Sequence, residues 1–78
     1  MVNFIRFVDV PGSDCFIGRA KDTGGHEHLY LITERRIYKH NVSKHAWSDI
    51  SEGEQHLVRR SVTSALQSGV RRYGIHCS

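Results

Sequence analysis

A chain of 78 residues supplies one compact domain at most, residues 1–78, and a fold that small removes only about 60 per cent of its unfolded surface from water. Little room is left for a deep pocket with a supporting layer around it, so a binding module rather than an enzyme is the expectation, with no cofactor. Eleven Lys and Arg against eight Asp and Glu give a mildly basic +3, and 38% hydrophobic with 24% charged residues argues against extended disorder.

No apolar run approaches the roughly 20 residues a helix needs to cross a bilayer. Asp9 also interrupts the opening apolar segment where a signal peptide would continue its core, so a cytoplasmic monomer with no membrane contact is expected.

Along the chain, "NFIRFVDV" (Asn3 to Val10) reads as a strand, with Phe4, Val8 and Val10 on one face and Ile5 and Phe7 on the other. "PGSD" follows, with proline before glycine as a type II turn prefers, and "CFIGRA" supplies the second strand of a first hairpin. "KDTGG" is a polar connection, and "HLYLIT" and "RIYKH" around "ERR" make a second hairpin. The next stretch, "NVSKHAWSDI", reads as a polar connection. Within it Trp47 either closes the gap between helix and sheet or anchors a partner.

Ser51 and Glu54 form the S-x-x-E pattern of a capping box. Leu57, Val58, Val62, Ala65 and Leu66 then recur at helical spacing, and Gly69 is a natural stop. "VRRYGIH" is either a last short strand or an extension lying over the sheet. The expected fold is α+β: a small antiparallel sheet of two β-hairpins with one C-terminal helix packed on it.

"GGHEHLY" raises the question of a metal. On a strand, His26 and His28 would share a face, but a zinc site needs two more ligands. Cys15, His40, His45, His56, His76 and Cys77 offer no C-x-x-C or H-x-x-x-H spacing except the looser one from His40 to His45. The simpler reading makes this segment the entry to the second hairpin, with a His/Cys metal module as the lesser alternative. If joined, Cys15 and Cys77 would close a loop of about 62 residues, worth on the order of 4 kcal/mol, though a cytosolic location favours free thiols. Nothing local sets a base beside either thiol, and "GSDCFIG" lacks the lysine of a phosphate-binding loop.

Two functional classes remain. The first is protein binding, through the first strand read as a sheet edge. Phe4, Ile5, Arg6, Phe7 and Val8 would be the contact set, Arg6 meeting an acidic group on the partner. The second is nucleic-acid binding, with Arg59, Arg60, Arg71 and Arg72 forming a basic patch and Tyr73 available for stacking.

The small size, mild basic charge and opening "NFIRFVDVPG" resemble the small bacteriophage proteins made early in infection that bind host RNA polymerase. That resemblance implies a non-enzymatic transcription regulator in the host bacterial cytoplasm, docking on a polymerase subunit to inhibit initiation and to promote antitermination. It rests on no diagnostic motif, so it transfers no binding residue to this chain.

Overall fold

The computed structural model describes residues 2–74. Its elements are β1 (Asn3–Asp9), β2 (Phe16–Lys21), β3 (Glu27–Ile32), β4 (Ile37–Asn41), β5 (Ala46–Asp49), α1 (Glu52–Gln67) and β6 (Arg72–Tyr73). The strands form one sheet in the order β5-β4-β3-β2-β1-β6. β1 to β5 run antiparallel in sequence, and β6 lies parallel to β1. Because β5 and β6 occupy opposite edges, α1 must cross the sheet between them, and it covers one face as it does so.

The class is α+β as the sequence indicates, but the sheet is mixed and has six strands. β5 lies inside the stretch read as a connection. The tail does form a strand at Arg72–Tyr73, while Ile75, His76 and Cys77 lie outside the described residues.

Local chemistry explains the turns. Between β1 and β2, Gly12 takes φ +75 after Pro11, and the Ser13 N–H donates to the Val10 carbonyl at 3.3 Å, as a type II turn requires. Between β2 and β3, Asp22 organises the loop, its Oδ1 accepting from the Gly24 N–H at 2.9 Å and the His26 N–H at 3.0 Å.

α1 starts at Ser51, whose hydroxyl accepts from the Glu54 N–H at 3.2 Å. It ends in a Schellman turn, with Gly69 at φ +96, Val70 N–H to the Ala65 carbonyl at 3.0 Å and Gly69 N–H to Leu66 at 3.3 Å. Val70 and Ala65 then both pack against the core.

That core comprises Phe4, Phe7, Ala20, Tyr30, Ile32 and Ile37 from the sheet with Val58 and Val62 from α1. Phe4 and Phe7 stack at 5.1 Å between ring centroids, on the same face of β1. Strict alternation would separate residues three apart. A β-bulge makes up the difference: Phe4 pairs with Ala20 and Arg6 with Arg19, leaving Ile5 as the extra residue. The alternation expected from the sequence, with Phe4 and Phe7 on opposite faces, is therefore corrected.

β1 is not an edge strand at its centre either. Phe7 and Val8 pair with Arg72 and Tyr73 of β6, and the Phe7 N–H donates to the Arg71 carbonyl at 3.1 Å. Among the described residues, no helix is long and apolar enough to cross a membrane.

Candidate docking face

Side chains along a strand alternate between the two faces, so the residues beside the core positions point away from α1. The pairing register aligns them. Tyr73 pairs with Val8, Val8 with Ile17, Ile17 with Leu31 and Leu31 with Tyr38, giving one row across β6, β1, β2, β3 and β4. At about 4.8 Å per strand the row is roughly 19 Å long. Val8, Ile17, Leu31 and Tyr38 are half-buried by one another, and Tyr73 is 47% exposed. Among the described residues, no element covers them.

Beside this row lies a second. Arg6 stands directly opposite Arg19, and Arg19 pairs with Leu29. Like charges facing across antiparallel strands repel, and neither arginine has a carboxylate partner among the described residues. Arg6 does lie 5.5 Å over the Tyr73 ring, a cation–π contact that joins the two rows at the β6 edge. At the other edge Trp47 of β5 pairs with His40 of β4, their rings 5.3 Å apart and tilted by 62°. Trp47 therefore stands on the helix-free face, 38% exposed, rather than between helix and sheet.

The residues selected from the sequence are dispersed by the fold. Phe4 and Phe7 are 6% and 0% exposed and belong to the core, so they are removed from the contact set. Arg6 and Val8 face away from α1, and Ile5 is exposed at the bulge.

The proposed basic patch divides. Arg72 pairs with Asp9, and its guanidinium lies 4.1 Å over the Phe16 ring on the helix-bearing side, while Tyr73 joins Arg6 on the other. Arg59 donates to the Thr33 carbonyl at 3.4 Å, and Arg60 and Arg71 are exposed. Arg19, Ile17, Leu31 and Tyr38 were not singled out by sequence. Their only signal is β alternation, which becomes a surface once the register is known.

His26 and His28 both turn to Asp22. His28 Nε2 lies 2.9 Å from Asp22 Oδ2 and His26 Nδ1 3.5 Å from Oδ1. The His28 bond first, then the backbone N–H groups of His26 and Gly24, hold the Asp22 carboxyl well below the usual carboxylate range. Three His, Cys, Asp or Glu side chains do not converge as metal ligands anywhere among the described residues. Cys15 is half-buried with no disulfide partner among the described residues, and Cys77 lies outside them.

In comparisons with known proteins the chain matches no family model, no curated protein and no solved structure.

Proposed function

We propose that this chain is a non-enzymatic binding protein that docks on a protein partner through its helix-free sheet face. Val8, Ile17 and Leu31 form the apolar centre, and Arg6 and Arg19 meet carboxylates on the partner. The observation that carries this reading is the unneutralised Arg6–Arg19 pair beside an uncovered apolar row. An acidic partner would relieve the repulsion and cover the row in one step.

The partner we propose is a subunit of bacterial RNA polymerase, with inhibition of initiation and antitermination as the outcome in the host cytoplasm. This is supported by the resemblance of "NFIRFVDVPG" to polymerase-binding phage proteins. A nucleic-acid strand is the second reading, favoured by Tyr73 and Trp47 at the two ends of the face with arginines between them. Against it, the centre of the face is aliphatic and offers bases no ring to stack on.

The test is equilibrium binding of the labelled chain to purified bacterial RNA polymerase, together with single-round transcription. Saturable binding that persists at 0.3 M salt (roughly three times the ionic strength at which screening reaches about 10 Å), lost in Leu31→Lys and Arg19→Glu, supports the reading. Absence of polymerase binding, or tighter binding to a single-stranded oligonucleotide that falls steeply with salt, overturns it.

A further inference from the structure

On the opposite, helix-bearing side, α1 and the start of β1 leave a groove of about 760 Å³ between them. Phe4, Tyr30 and Val58 are buried residues that line it, and Leu57, off the helix's buried stripe, stands on its lip 61% exposed. A groove lined mainly by apolar side chains with a few polar groups is the usual form of a small-molecule site.

Tyr30 gives this one its polar character. The residue is only 3% exposed and its ring is held against Phe4 at 5.7 Å, while its hydroxyl, which bonds none of the described residues, is reached by solvent from the groove. Burial, and then the charge of Glu54, raise its pKa, so the phenol stays neutral and free to accept or donate. Glu54 lines the same groove without an ion-pair partner among the described residues. A phenol hydroxyl open to the groove with a carboxylate lining the same groove complements a positively charged donor.

We propose that this groove binds a small arylalkyl ammonium compound, with its apolar body against Phe4, Tyr30, Val58 and Leu57. Its ammonium donates to the Glu54 carboxylate and the Tyr30 hydroxyl oxygen. The cation on the rim, Arg60, lies on a lip shared with a shallower depression beside Thr63 and Gln67. Six residues along a helix is about 9 Å, so an anionic head at Arg60 would leave the corner at Tyr30 and Glu54 unmatched.

The test is an amide NMR titration of the full chain with 2-phenylethylamine, using 3-phenylpropionate and 2-phenylethanol as the charge-reversed and neutral probes. The amine should bind with a Kd on the order of 1 mM, shifting Tyr30, Leu57, Val58 and Val70, and the carboxylate should bind at least about tenfold more weakly. Glu54→Gln should reduce the amine to the affinity of the alcohol. Ser61→Phe, on the groove wall, should abolish binding of all three; Tyr30→Phe, with an unchanged fold by circular dichroism, should weaken the amine about fivefold.

No shift at about 10 mM amine, equal binding of the carboxylate, or shifts that map to Val8, Ile17 and Leu31 would overturn the proposal. Arg19→Glu, on the other face, should leave the titration unchanged. The fate of this site and that of the docking face are thus read separately.

Discussion

Gln55 of α1 stands in for a neighbouring strand at Ile37 of β4. Its Oε1 accepts from the Ile37 N–H at 2.8 Å and its Nε2 donates to the Ile37 carbonyl at 2.7 Å, with Gln55 only 7% exposed. Ile37 pairs with Ile32 on one side, and the pairing of β4 with β5 begins only at Tyr38 and Asp49. The side-chain amide therefore satisfies a buried peptide that the ladder leaves open. Arg36 reinforces the corner, with Nη2 2.8 Å from Asp49 and Nη1 3.0 Å from Glu52, so the first turn of α1 is tied to both β4 and β5.

Removing that amide should be costly. Gln55→Ala leaves a buried donor and a buried acceptor without partners, and the expected loss in urea unfolding is about 2–4 kcal/mol. Gln55→Glu should not rescue it, because a carboxylate cannot donate to the Ile37 carbonyl and would stand close to Asp49. A loss below about 1 kcal/mol in both variants would mean that water replaces the amide.

Acid should weaken the fold in a defined window. Asp22 and Asp49 both sit below their ordinary 3.8, Asp22 chiefly through His28 and Asp49 chiefly through Arg36. A carboxyl whose folded value is depressed contributes stability that is complete above its unfolded value and is lost as pH falls through the folded one. Urea midpoints should therefore be level from pH 7 to about 5 and fall progressively below about 4. Asp22→Asn should flatten the low-pH fall while lowering the neutral-pH plateau. An unchanged slope in that variant would remove Asp22 from the account.

Gly18 is required by Phe4. A Cβ built on Gly18 would lie 2.5 Å from a carbon of the Phe4 ring, which lies over the glycine on the core face. Gly18→Ala should destabilise by about 1–3 kcal/mol through overpacking. Combining it with Phe4→Leu should cost less than the two single changes added together, because the smaller side chain vacates the contested space. Strict additivity in thermal melts would show that the ring moves aside without strain.

β1 to β4 and the limits of α1 were legible because each carries a local signal: β-branched and aromatic runs, Pro11-Gly12, the Ser51 cap and Gly69. β5 was not, since Ala46-Trp47-Ser48-Asp49 has no apolar alternation. Its turn is also made without a glycine, by His45 at φ 51 and the Asn41 side chain accepting from the Lys44 N–H at 3.2 Å. The bulge at Ile5 is set by what β2 and α1 need on the core face, a tertiary demand invisible in "FIRFV" itself. Recognising Arg6 as unusual was within reach of the sequence. Finding that Arg19 faces it, and that Val8, Ile17 and Leu31 form one row, needed the register.

Arg19 offers the sharpest test of whether the helix-free face is kept for a partner. Arg19→Glu places a carboxylate directly opposite Arg6, turning a repulsive cross-strand pair into an attractive one, and the isolated chain should gain about 0.2–1 kcal/mol in urea unfolding. The same substitution puts a negative charge where the proposed partner presents its own, so binding should be lost. A residue that only decorates a solvated strand would show the stability gain with no loss of binding. Gains in stability and losses in binding at one position are what a surface held in an unfavourable state for recognition produces. Arg6→Glu, which also discards the contact with Tyr73, should lose the binding with a smaller gain in stability.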